Sequence, residues 1–173
     1  WADGHLVLPP MDRRTKAGKA LYAEYDHAAA GGMELLAEAD AQRVEAMAAA
    51  VRADPLVGDW LSRPGESELA VRWRDPESGI ACKALLDRVC GSVVFDLKTA
   101  TDPWPAVWAR QAGNLSYHTQ AAFYRQAATL GLELPDVDFV HVVVGSEPPF
   151  EVFVCELDPE DIAFGDRQNA EAL

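Results

Sequence analysis

Cysteine is scarce in this chain, with three in 173 residues. Cys82, Cys90 and Cys155 stand apart among apolar residues with no CxxC pairing. That excludes a disulfide framework and argues against a zinc or iron–sulfur centre; it predicts buried thiols in a reducing cytoplasm. No apolar run reaches the 18 residues a membrane helix needs, and no signal peptide is visible. A chain opening at Trp1 without Met reads as a piece of something longer. Cations are also short, 15 Lys and Arg against 28 Asp and Glu, for a net charge of −13, which at first sight counts against a polyanion partner. No period of 20 to 50 residues recurs, and no low-complexity segment or interdomain linker interrupts the chain. What is present is 49% hydrophobic with 12 Gly and 11 Pro, a composition that excludes disorder and collagen. The expectation is one globular domain over residues 1–173, long enough to bury a core unaided.

The acidity is unevenly spread. Residues 1–66 sum to −4, residues 67–130 to +1 and residues 131–173 to −10. The central third is therefore neutral, and the acidic end can face solvent away from a polyanion. One local exception is Arg13, Arg14, Lys16 and Lys19, four cations within seven residues. They are candidates for phosphate contact, and equally a solvated helix start.

Apolar spacing predicts a helix from Thr15 and, after Ala30-Gly31-Gly32, a long one over Met33 to Val51. Asp54-Pro55 opens a short helix that Pro64-Gly65 breaks. Leu69–Trp73, Ile80–Val89 and Val93–Lys98 alternate as a three-stranded meander turning at Asp75–Gly79 and Cys90-Gly91-Ser92. Asp102-Pro103 marks a helix start, Ser116–Leu130 reads as a helix, Phe139–Val144 and Phe150–Leu157 as strands, and Asp158-Pro159 begins a last helix. One mixed α/β (α+β) sheet flanked by helices is the simplest architecture.

Chemistry gathers in the meander. Asp96 and Lys98, two apart on a strand, leave the same face. A hairpin turning at Gly91 brings Asp87 close to Asp96 across the strands. Two carboxylates and the Leu97 carbonyl suit a hard divalent cation such as Mg²⁺ or Mn²⁺, with Lys98 beside it to orient water or neutralise charge on phosphorus. The same spacing also describes an ordinary cross-strand Asp/Lys pair worth little at a surface. Tyr117, Gln120 and Tyr124 fall on one helical face, so that Gln120 can hydrogen-bond phosphate or Lys98, while Tyr124 equally suits core packing. His118, Trp104 and Trp108 are further candidates for phosphate or base contact; solvent exposure for the histidine and sheet packing for the tryptophans are the simpler readings.

The ordered segments Asp12–Lys19, Ser67–Trp73, Asp75–Lys83, Asp87, Phe95–Thr99 and Tyr117–Tyr124 together resemble the exonuclease VIII (RecE-like) branch of the PD-(D/E)XK nucleases. The resemblance implies a restriction-endonuclease-like fold and Mg²⁺-dependent (or Mn²⁺-dependent) hydrolysis of DNA at duplex ends, in recombination or phage DNA processing. It implies Asp87 and Asp96 as metal acids, Lys98 as catalytic lysine, Gln120 and Tyr124 as a QxxxY motif, and Glu68 as an acid beside the metals. Expected partners are double-stranded DNA ends, a single-strand annealing protein and further copies of the chain in a ring lined by Arg13, Arg14, Lys16 and Lys19. Two departures stand out: Leu85-Leu86 precedes Asp87 where the family carries Arg-Pro, and neither His5 nor His27 occupies the place of the family's upstream histidine. A nuclease-fold module impaired in catalysis that binds DNA ends or a partner, or an endonuclease of the same superfamily, is the alternative.

Overall fold

A computed structural model describes residues 5–173, in two compact units that divide between Ala48 and Ala49. In the first, strand β1 (His5–Leu8) pairs in parallel with β2 (Glu34–Ala37) across helix α1 (Lys16–Ala29). Thr15 caps α1, its hydroxyl accepting from the Gly18 N–H at 3.0 Å, the usual service of a threonine before a helix. The expected long helix from Met33 is corrected here. Glu34–Ala37 is a strand, with Leu35 and Leu36 opposite Leu6 and Val7, and helix α2 (Glu38–Ala53) begins only at Glu38. Short apolar runs suit strand and helix spacing alike, and the pairing partner decides.

The second unit holds a five-stranded mixed sheet in the order β3 (Glu66–Arg74), β4 (Ala81–Cys90), β5 (Val93–Ala100), β6 (Asp138–Gly145), β7 (Val152–Cys155). The meander β3-β4-β5 is antiparallel as expected. The chain then crosses over through α4 (Pro105–Asn114) and α5 (Tyr117–Gln126) so that β6 returns parallel to β5, and β7 closes the order antiparallel. This is the mixed sheet flanked by helices that the sequence predicts. Helix α4 starts later than expected: Trp104 precedes it and Pro105 occupies its first turn, where a missing N–H costs nothing. Helix α5 ends in a π-helical turn, Ala127–Gly131, and α6 (Pro159–Ala172) closes the chain.

Helices pack on both faces of the sheet, on the second face only over part of it. Val71, Trp73, Cys82, Leu86 and Val94 pack with Ala121, Ala122 and Ile162 of α5 and α6. On the other face Phe95 stacks on Trp60 of α3 (Pro55–Ser62), centroids 6.0 Å apart. Asp54 caps α3 as expected, accepting from the Leu56 and Val57 N–H groups. Helix α6 closes on α5 at Gly165, where a Cβ would lie 2.3 Å from the His118 carbonyl oxygen. Trp108 is 1% exposed, within the core. His118 meets Gln168 at 2.7 Å and stacks on Phe164, tying α5 to α6. No helix among the described residues is long and apolar enough to cross a membrane.

Candidate active site

The site lies where β4 and β5 part. Their ladder runs from Cys90↔Val93 to Arg88↔Phe95 and stops; the next step would join Asp87 to Asp96. There the Asp87 side chain replaces the missing strand carbonyl, its Oδ2 accepting from the Leu97 N–H at 2.8 Å. Because the N–H and C=O of one strand residue leave by the same edge, the Leu97 carbonyl also points into this fork. The β3–β4 ladder skips the same place, passing from Ser67↔Arg88 to Leu69↔Leu86. The skipped residues are Glu68 and Asp87, so three acids occupy one row across three strands. Glu68 takes a left-handed φ of 52°, an unfavourable conformation for a residue with a Cβ. Leu86 and Val89, three apart, both join the core under α5, a spacing that regular alternation forbids. The irregularity turns Asp87 sideways into the gap between strands.

Asp96 is 2% exposed. Its Oδ1 accepts from the Gln120 amide at 2.9 Å and its Oδ2 stands 2.5 Å from Lys98 Nζ. Oδ2 nevertheless has no aligned hydrogen-bond donor, so the lysine contact is chiefly charge against charge. Burial raises the Asp96 carboxyl above the ordinary carboxylate range, the adjoining Lys98 ammonium opposes that, and the neighbouring Asp87 charge adds to it. The Lys98 ammonium also lies 4.7 Å from the centre of the Tyr117 ring, within cation–π range.

Sequence reasoning missed His141. It lies opposite Asp96 on β6, fully buried among Tyr117, Phe139 and Trp108, and neither ring nitrogen finds a hydrogen-bond partner. Desolvation, followed by the Lys98 charge, lowers its pKa to about 4, so the imidazole is neutral. Its only signal was one polar residue in the strand run Phe139–Val144.

An open cleft of about 520 Å³ adjoins the fork, lined among others by Lys98, Tyr117, Gln120, Phe123, Tyr124 and Asn169. Asp87, Asp96, Leu97, Lys98 and Gln120 are thus brought together, with Tyr124 on the cleft wall and Glu68 in the same row but exposed. Arg13, Arg14, Lys16 and Lys19 belong to the first unit. There Arg14 pairs with Asp12 at 3.0 Å and the Arg13 guanidinium covers the Tyr22 ring at 3.7 Å. Trp104 stands 69% exposed, outside the cleft lining.

Two adjacent carboxylates, Asp96 with its Oδ2 against the Lys98 ammonium and Asp87 on the Leu97 N–H, together with the Leu97 carbonyl fit one hard cation that keeps most of its waters. They do not make a richer cage: among the described residues no three His, Cys, Asp or Glu side chains converge on a metal position.

A family described as a PDDEXK-like domain of unknown function (DUF3799) matches residues 16–173. No curated protein matches the sequence. Among solved structures, a candidate exonuclease from Eubacterium rectale is similar over 88% of this chain and 60% of that one, with 14% identity and a TM-score of 0.59. SSO0001 is 13% identical over 90% of this chain and 64% of its own, at a TM-score of 0.39 that carries no argument. The chain spans less than two thirds of the length of either protein.

Proposed function

Since the chain belongs to the PDDEXK-like family DUF3799 and is thereby a distant relative of the PD-(D/E)XK nucleases, we propose that it binds DNA phosphodiesters at the Asp87–Asp96–Lys98 fork as a nuclease-fold module whose hydrolytic site is only half built. The observation that carries this is the donor set. Two carboxylates meet at the fork, and both already have partners: Asp87 accepts from the Leu97 N–H, and Asp96 is engaged by Gln120 and Lys98. Asp87, Asp96 and the Leu97 carbonyl would hold one Mg²⁺ or Mn²⁺, and such an ion supplies charge neutralisation and an activated water when bound. Lys98 places an ammonium beside Asp96 where a phosphate oxygen can meet it. Gln120 holds the Asp96 carboxylate in one orientation, and the cleft beside Tyr117 and Tyr124 receives the strand.

A second reading is a Mg²⁺-dependent exonuclease of the exonuclease VIII (RecE-like) branch acting at duplex ends. It is favoured by the meeting of Asp87, Asp96, Lys98 and Gln120 at one fork, and the fold-level neighbour described as a candidate exonuclease agrees with it. Incubating the chain with circular and linear duplex DNA at saturating Mg²⁺ separates the readings. The half-built module leaves both forms intact while retarding them in a binding assay. Loss of the linear form alone establishes the exonuclease, and loss of both an endonuclease.

A further inference from the structure

The β3–β4 hairpin alternates strictly beyond the site. Leu69, Val71, Trp73, Cys82, Ala84 and Leu86 face the core, which leaves Ala70, Arg72, Arg74, Ala81, Lys83 and Leu85 on the outer face, all exposed. Three of these six outward positions are cations and none is an acid. Arg72 stands directly opposite Lys83. Like charges facing each other across a strand pair destabilise it, and a chain with 28 acids and 15 cations had ample means to place a carboxylate there. Neither Arg72, Arg74 nor Lys83 forms an ion pair among the described residues; Arg74 donates only to the Gly79 carbonyl at 2.6 Å. The nearby Asp75 is turned inward, its carboxylate taken by Ser78 and the Glu77 N–H.

Protection of a sheet edge does not account for this arrangement. Charges on β3, an edge strand, and on the part of β4 beyond its pairing with β5 would discourage unwanted pairing, but either sign would serve that end, whereas here every charge is positive and two of them face each other. The cations repeat at a spacing suited to a polyanion: Arg72 and Arg74 are separated by two residues, about 6.6 Å, close to the separation of successive phosphates along one nucleic-acid strand. Exposed Leu85 and Leu97, 47% and 44% accessible, are apolar neighbours for sugars and bases. Arg72 and Lys83 each stand four residues, about 13 Å along their strands, from Glu68 and Asp87.

We infer that the outer face of the β3–β4 hairpin is a phosphate-binding surface for DNA, distinct from the Lys98 cleft on the opposite face of the sheet. It rests on the DNA-binding reading above and adds where the backbone away from the fork is held. The surface recognises charge and spacing, so it carries affinity without sequence preference.

The test is fluorescence anisotropy with a short labelled DNA, duplex and single strand in separate arms, without divalent metal and over a series of salt concentrations. The Arg72→Ala/Lys83→Ala variant should bind at least about tenfold more weakly, and its plot of log affinity against log salt should be shallower by about two. Arg72→Lys should retain parental affinity, since a phosphate contact of this kind needs the charge. Arg52→Ala/Arg110→Ala removes the same charge from α2 and α4 and should leave the slope near parental; all variants are checked by thermal melting. Parental affinity and slope in the hairpin variant, with binding lost in Lys98→Met, would overturn this surface and leave the fork reading standing. A parental chain that binds neither DNA would overturn both, and an equal loss in the α2/α4 variant would reduce the effect to net charge.

Discussion

Asp87 Oδ2 accepts the Leu97 N–H at 2.8 Å, so a side chain fills the ladder position where β4 and β5 separate. One carboxylate thereby has two duties, closing the sheet and facing Asp96.

The two duties are separable. Asp87→Asn keeps an acceptor for Leu97 and should melt within a few degrees of the parent, whereas Asp87→Ala orphans that N–H and should cost about 1 kcal/mol at this half-exposed position. Both should lose Mn²⁺ binding by calorimetry. Unchanged Mn²⁺ affinity in both removes Asp87 from the ligand set.

Asp96 should make the protein less stable as pH rises. Its folded pKa is raised, chiefly by burial, so the folded state holds the proton more tightly than the unfolded chain. The stabilisation is full below the unfolded value and is lost as pH climbs through the raised one. Asp96→Asn, measured by melts against pH, should gain on the parent above about pH 4. A constant difference across that range contradicts the shift.

His141 acts with the opposite sign. Its pKa falls from 6.5 to about 4, so the stability held by its neutral form is present above pH 6.5 and is lost as pH falls toward 4. The full effect is about 3 kcal/mol. His141→Met removes the titration, and the variant should lose less of its melting temperature than the parent over that window. Parallel acid melting of the two proteins would show that His141 does not titrate there.

Lys98→Met leaves the buried Asp96 carboxylate without its ammonium, which should lower the melting temperature and weaken DNA binding together. Lys98→Arg should recover stability in part and not DNA binding, because a planar guanidinium cannot occupy the position of a compact ammonium. Full recovery of binding by arginine would mean that charge alone suffices at this position.

Gly165→Ala should destabilise by about 1–3 kcal/mol, because its Cβ would meet the His118 carbonyl oxygen at 2.3 Å. A parental melt would require α6 to shift away from α5.

Much of the fold and of the site was legible because it rests on local patterns. The period-two alternation of Leu69–Trp73 and Ile80–Val89, the turn at Gly91 and the Pro-marked start of α3 read directly as elements, and the Asp96/Lys98 spacing dictates a shared face. The hairpin alone brought Asp87 toward Asp96. Contacts between distant segments decided the rest. Glu34–Ala37 became a strand because β1 lies beside it, and His141 reached the site because the α4–α5 crossover set β6 parallel to β5 with His141 opposite Asp96. The interruption of both ladders at Glu68 and Asp87 has no local signature either: alternation predicts a continuous strand, and only the backbone shows the left-handed Glu68 and the carboxylate turned into the gap. Sequence periodicity specifies which face a residue takes, whereas strand order and register set its neighbours, and those depend on the packing of the whole sheet.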